Sequence, residues 1–141
     1  MFITGTSTVL GRALTELVLA VGEIVVATAH RTGPLDDLKA KNHSDRLFML
    51  KLDVTNSDEI GEAFTQVKAA FGQLDIVVNN AAWSTFGEAE SAHEADARAM
   101  LDMSFWGAAN VLRAAVELFN DVNARGAGGW LIQILPVGGF V

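Results

Sequence analysis

The sequence predicts an α/β fold, a doubly wound parallel sheet covered by helices and ending after about five strands. Two observations carry this. Short runs rich in β-branched residues alternate with longer stretches whose apolar residues recur every three or four positions. Residues 24–29, Ile-Val-Val-Ala-Thr-Ala, are continuously β-favouring without polar alternation, the signature of a strand buried on both faces.

Residues 2–4 read as a clipped first strand. Residues 10–21 form the first helix, with Leu10, Leu14, Leu17, Val18 and Val21 at helical spacing. The second strand is 24–29. Gly33-Pro34 opens a short second helix, since proline is tolerated in a first turn whose N–H groups lack intrahelical partners. Asp36 and Asp37 sit near its positive end. The third strand is 47–52 and the third helix 56–71, with Asp58 and Glu59 in its first turn. The fourth strand is 75–79. A long helix follows over 91–119, with Leu101, Phe105, Ala108, Leu112, Val116 and Phe119 expected in the core or on a partner. Residues 130–135 are the fifth strand, and pairing is expected to weaken at Pro136, which has no N–H.

The 141 residues suffice for a single domain, 1–141. Ten basic against seventeen acidic residues give a net charge of −7. Such a surface repels phosphate backbones, so no nucleic-acid partner is expected. The absence of cysteine excludes disulfides, thiolate metal sites and a cysteine nucleophile. The most apolar stretch, 17–29, is broken by Gly22 and Glu23 and is too short to span a bilayer. No signal-peptide pattern opens the chain, so the expectation is a cytoplasmic protein with no membrane partner.

Four turns at strand ends carry the chemistry, because ligands in such sheets bind beyond the carboxyl ends of the strands. Gly5 to Gly11 joins the first strand to the first helix. Unpaired N–H groups at a helix start attract phosphate, and glycine lets a nucleotide come close. Thr6 and Ser7 either add hydroxyl contacts or cap the helix. The second turn holds His30 and Arg31, with no acid before Asp36. An acid there would hold a ribose 2′-hydroxyl and a cation a 2′-phosphate, so Arg31 points to NADP unless it is only a solvated charge. In the third, Asp53-Val54-Thr55, the aspartate either accepts from an adenine amino group or caps the next helix. In the fourth, Asn79 and Asn80 either hold a ribose or tie strands together. His93 lies in an acid-rich segment, 88–96, that reads as a helix start with Ser91 and Glu94 as a capping box, so no metal site is expected.

These turns, in this order, resemble the short-chain dehydrogenase/reductase family. The matches are Thr4, Gly5 and Gly11; Asp53, Val54 and Thr55; and Asn79, Asn80 and Ala81. Ser104-Phe105-Trp106-Gly107 is similar to the family's Asn-x-x-Gly, and residues 129–139 to its strand leading toward a catalytic serine. The resemblance covers essentially the whole chain. It implies a Rossmann-type sheet and hydride transfer between NADP(H) and a small carbonyl or alcohol substrate. It implies cofactor contacts by Gly5, Ser7, Leu10, Gly11, Arg31, Thr32, Asp53, Val54, Asn80, Ala81 and Arg113, and dimer contacts by the long helix.

The chain departs from the family at Val9, where a middle glycine belongs. A β-branched residue there opposes positive φ and crowds the pyrophosphate. Ala82 replaces a glycine, Ser104 an asparagine and Leu135-Pro136 a serine pair. No tyrosine occurs in the chain, and the family's Tyr-x-x-x-Lys would lie beyond Val141, so no catalytic residue is assigned. The expectation is an incomplete dinucleotide-binding domain that holds NADP weakly. Its alternative is a non-catalytic nucleotide-binding or protein-interaction module. In either case the fifth strand would be an open sheet edge that favours a homo-oligomer or a partner chain.

Overall fold

The computed structural model describes residues 1–85 and 87–135. Five strands form one sheet: β1 (Phe2–Ile3), β2 (Val25–Ala29), β3 (Leu47–Lys51), β4 (Ile76–Asn79) and β5 (Trp130–Gln133). Their order is β3-β2-β1-β4-β5, and every neighbouring pair is parallel. Phe2 lies opposite Val26 on one side and Val77 on the other. The helices are α1 (Val9–Ala20), α2 (Asp36–Lys41), α3 (Ser57–Phe71), α4 (Glu94–Leu101) and α5 (Ala108–Val122). This is the α/β Rossmann-type doubly wound sheet that the sequence predicts.

The period-two alternation of strand side chains builds two separate cores. Phe2, Val26, Leu50 and Val77 point toward α3 and α5, where they meet Ile60, Phe64, Val67, Val111, Ala115 and Leu118. Ile3, Val25, Ala27 and Val78 point the other way, onto Val18, Leu35 and Leu38 of the α1–α2 side. The Phe2 and Phe64 rings stack at 4.8 Å in a tilted pair. Full burial of one such apolar side chain contributes roughly 1.5–3 kcal/mol, so these layers hold the sheet from both faces.

Helix starts are set by local chemistry. Asn56 caps α3, its side-chain oxygen accepting from the N–H groups of Asp58 and Glu59. That role belongs to Asn56 and not to Asp53. The last turn of α3 ends on Gly72 at φ 66°, the left-handed conformation glycine adopts without strain. Gly33–Leu35 make a single 3₁₀ turn before α2, with Pro34 in its first positions.

The long helix departs from the expectation in three ways. A 3₁₀ turn, Ala89–Ser91, precedes it, and regular helix begins at Glu94 after His93. Ser91 does not cap with Glu94: its hydroxyl donates to the Glu88 carbonyl at 2.8 Å, and Glu94 instead pairs with Arg98. Between α4 and α5, Asp102–Gly107 widens into a π-helical turn. The turn ends at Gly107, where an added Cβ would lie 2.9 Å from the Val54 carbonyl. Finally, only Ala108 and Phe119 of the expected apolar set are buried; Leu101, Phe105, Leu112 and Val116 are exposed. The buried face of α5 is instead Val111, Ala115, Leu118 and Phe119. On α1 likewise, Gly11, Thr15 and Val18 face the sheet, while Leu10, Leu17 and Val21 face outward.

The expected break in pairing at Pro136 and the segment 136–141 lie outside the described residues.

Candidate functional site: a cleft at the strand tips

The chain runs outward from β1 through β2 to β3, then returns to place β4 beside β1. This reversal opens a crevice beyond the carboxyl ends of β1 and β4. A cleft of about 400 Å³ occupies it. Its walls come from three of the four turns singled out in the sequence, with His30 alone from the remaining one: Gly5, Ser7, Val9 and Leu10; Leu52, Asp53 and Val54; Asn80, Ala81 and Ala82. Trp83 and Met103 close one side.

The glycine turn is held by contacts that exclude larger residues. Gly5 has φ +69°, and an added Cβ would stand 2.9 Å from the Ala81 Cα. A Cβ on Gly11 would lie 2.3 Å from the Gly5 carbonyl oxygen and 2.6 Å from Asn80 Nδ2. Glycine is thus a packing requirement at both positions and a conformational one at Gly5. Thr8 occupies the N-cap of α1 without a side-chain capping bond, and no acid sits in the first turn. The positive end of a twelve-residue helix therefore faces the cleft uncompensated. The residues present fit a dinucleotide phosphate in this respect.

Val9 opposes that fit. It has φ 42°, the only positive φ at a non-glycine residue among the described residues. It lines the cleft with 87% of its surface exposed. A β-branched side chain in this region carries steric strain of roughly 1–2 kcal/mol.

Asn79 and Asn80 act as ties. Asn80 Nδ2 donates to the carbonyls of Thr4 at 2.9 Å and Gly5 at 3.1 Å. Asn79 Nδ2 donates to the Ala108 carbonyl at 2.8 Å, joining β4 to the start of α5. Thr4 Oγ1 accepts from the N–H groups of Asn80 (2.9 Å) and Ala81 (2.8 Å) and donates to Asn79 Oδ1 (3.4 Å). Its full donor and acceptor capacity is used. Thr6 does not cap α1; its buried hydroxyl donates to the Thr28 carbonyl at 3.0 Å. Ser104 Oγ donates to the Trp83 carbonyl at 3.0 Å and so fixes the π-helical turn to the loop after β4.

Asp53 Oδ1 accepts from the Thr55 hydroxyl (2.7 Å) and N–H (2.9 Å). The Thr55 hydroxyl is the main cause holding the Asp53 carboxyl below the usual aspartate range. The second oxygen, Oδ2, stands 3.7 Å from His30 Nε2.

Of the residues expected around a cofactor, Gly5, Ser7, Leu10, Asp53, Val54, Asn80 and Ala81 come together in this cleft. Gly11 lies directly behind it, against Gly5 and Asn80. The structure does not bring Arg31, Thr32 or Arg113 there. Arg31 is exposed and outside the lining. Thr32 borders a different hollow with Lys39 and Phe48, and Arg113 lies in a groove between α3 and α5 with Ser57 and Glu117. Sequence reasoning missed Thr4 as the hub and Trp83 and Met103 as walls; the Thr-Gly pair and the tryptophan following the double asparagine were the available signals. Among the described residues, no cluster of His, Asp or Glu is arranged to hold a metal, and no helix is long and apolar enough to cross a membrane.

The family model for short chain dehydrogenases matches residues 1–141. An uncharacterized oxidoreductase of Schizosaccharomyces pombe is 36% identical over 140 residues, covering 99% of this chain and 45% of its own length. The crystal structure of a short-chain dehydrogenase from Streptomyces avermitilis superposes with a TM-score of 0.89 at 34% identity, covering 99% of this chain and 50% of that one. The closed form of a serine dehydrogenase complexed with NADP+ gives a TM-score of 0.88 at 28% identity, over 100% of this chain and 56% of that one. The chain thus spans about half the length of the curated relatives it matches. With the glycine turn, the Asp-Val-Thr turn and the double asparagine gathered on one crevice, the chain belongs to the short-chain dehydrogenase family of oxidoreductases.

Proposed function

We propose that residues 1–141 are the cofactor-binding part of an NADP(H)-dependent oxidoreductase acting on a small carbonyl or alcohol. The observation that carries this reading is the Gly5–Gly11 turn. Its two glycines are locked against Asn80 and Ala81, and the uncapped start of α1 faces a cleft of about 400 Å³. That volume suits a nucleotide, and the exposed N–H groups suit its phosphates. A bound nicotinamide nucleotide would supply or accept the hydride. In this chain, Gly5, Ser7 and Leu10 would hold the phosphates, and Asp53 and Val54 would border the adenosine end. The proton that accompanies hydride transfer needs a titrating group at the substrate oxygen. No tyrosine exists in the 141 residues to provide it, so the proposal assigns binding to this chain and no proton transfer.

The test is a fluorescence titration of the 141-residue chain with NADPH and NADH. Weak saturable binding of NADPH, without carbonyl reduction by this chain alone, is the expected result. Failure of both nucleotides to bind at millimolar concentration would refute the reading.

A second reading, that the domain serves to join a partner chain, is favoured by one observation. β5 is an edge strand whose four residues are all exposed, Trp130 at 75%. An apolar edge with unpaired backbone groups is a template for another strand.

A further inference from the structure

The turn between β2 and α2 forms one flank of the cleft. His30 is its residue in the lining, and stands 3.7 Å from Asp53 Oδ2 at the end assigned above to adenosine. The residues that follow leave the sheet, and little ties them down. Within residues 31–35 only Leu35 is buried, and its N–H closes a local turn onto the Thr32 carbonyl. Among the described residues, one hydrogen bond reaches residues 31–35 from outside the turn and α2. Arg12 donates it, from a terminal guanidinium nitrogen to the Pro34 carbonyl at 2.8 Å.

Arg12 follows Gly11 in the first turn of α1, the helix whose start faces the cleft. Its other two nitrogens donate to Asp37 of α2 at 2.5 Å and to Glu16, one turn along α1, at 2.6 Å. A planar, permanently charged fork with three separate acceptors is held in one orientation. Only 22% of the side chain is exposed, so water competes for these contacts less than at an open surface pair. The latch therefore fixes where the 3₁₀ turn and α2 sit relative to the start of α1.

We propose that Arg12 is a positioning residue for the nucleotide: by latching the Gly33–Leu35 turn and α2 onto α1, it holds the flank of the adenosine end in register with the phosphate end. One helix then sets both ends, its N-terminus facing the phosphates and its Arg12 side chain carrying the far flank. Arg12 is not in the lining of the cleft, so it acts through the turn. The inference rests on the nucleotide reading given above.

Two variants test it. R12M keeps the apolar stem and removes all three bonds. D37N keeps the Pro34 bond and removes the ion pair to α2. The 141-residue chain is titrated with ADP, which spans the phosphate and adenosine ends, and hydrogen exchange is followed without nucleotide. A merely structural role would lower the urea midpoint and leave the ADP dissociation constant of the folded chain where it was. In R12M that constant is expected to rise about tenfold, because binding must now order the turn. Exchange should quicken in residues 30–36 and not in β1 or β4. D37N should shift the ADP constant the same way, by about threefold. The Asp37 side chain is 48% exposed, so D37N retains the fold and decides the matter if R12M does not. An unchanged ADP constant in the folded variants, or exchange quickened equally across β1 and β4, would overturn the proposal while leaving the nucleotide site standing. Failure of the wild type to bind ADP or NADPH at millimolar concentration would overturn both.

Discussion

Thr4 accepts two hydrogen bonds from Asn80, one from its side chain and one from its backbone. The Asn80 side-chain amide donates to the Thr4 carbonyl at 2.9 Å, and the Thr4 hydroxyl accepts the Asn80 backbone N–H at 2.9 Å. This double acceptance fastens the tip of β1 to the tip of β4, the two strands that flank the cleft. Thr4→Val keeps the shape but leaves the N–H groups of Asn80 and Ala81 without an acceptor. The expected loss is about 1–3 kcal/mol, the cost of an unsatisfied donor. Urea denaturation measures it, and nucleotide affinity should fall with it because the turn loses its anchor.

Gly11→Ala forces a methyl group to within 2.3 Å of the Gly5 carbonyl. The neighbour is backbone and cannot swing aside, so the glycine turn must shift. Overpacking of this kind costs about 1–3 kcal/mol. The thermal midpoint should drop by several degrees, whereas Gly61→Ala on the open face of α3, where an added Cβ meets nothing, should raise it slightly.

Val9→Gly removes a β-branched side chain from a left-handed backbone position. The relief of strain, less the entropy glycine loses on folding, predicts a gain of about 1 kcal/mol. The same change opens the phosphate end of the cleft. Calorimetry should show the higher melting temperature and titration the tighter NADPH binding. Unchanged affinity would mean that Val9 does not obstruct the nucleotide.

Three carboxyls lie below their ordinary values: Asp37 chiefly through Arg12, Asp53 chiefly through the Thr55 hydroxyl, and Glu59 chiefly through Lys51. Each binds a proton less readily in the native state than in the unfolded one. Their contribution to stability is complete above the ordinary values, 3.8 for aspartate and 4.5 for glutamate, and is lost as pH falls below them. Denaturation midpoints should be level from about pH 5.5 to 7 as far as these groups are concerned and decline steeply below pH 4. Asp53→Asn should flatten part of that decline.

For residues 1–141 taken alone, the exposed strand β5 predicts self-association through Ile132 and its neighbours. Ile132→Lys places a charge on the edge, a device that blocks strand addition. Light scattering coupled to size exclusion should show the substituted chain at lower mass than the wild type at the same concentration. A wild-type monomer at high micromolar concentration would count against the edge as a docking surface.

Much of the cleft's lining was legible in the sequence. The Gly5–Gly11 turn, Asp53 and Asn80 could be named because their demands are local: a left-handed glycine, a helix start, a polar group at a strand end. The placement of Arg31 could not be. Successive residues leaving a strand point to opposite sides, so a one-residue difference decides whether His30 or Arg31 enters the cleft. The helices teach the same lesson. The repeat at Leu10, Leu17 and Val21 identifies a helix correctly, yet the buried face is Gly11, Thr15 and Val18, because close approach to the sheet selects small residues there.

By itself the sequence determined the alternation of strands and helices, the parallel sheet and the glycine turn, since backbone sterics and side-chain periodicity act over a few residues. Only the tertiary structure decided that Thr4 is the hub of the cleft, that His93 and not Ser91 stands at the N-cap of α4, and that the π-helical turn brings Gly107 against Val54. Those outcomes depend on contacts between residues up to 77 positions apart, and no local pattern records which distant partner will satisfy a given hydroxyl, amide or open face.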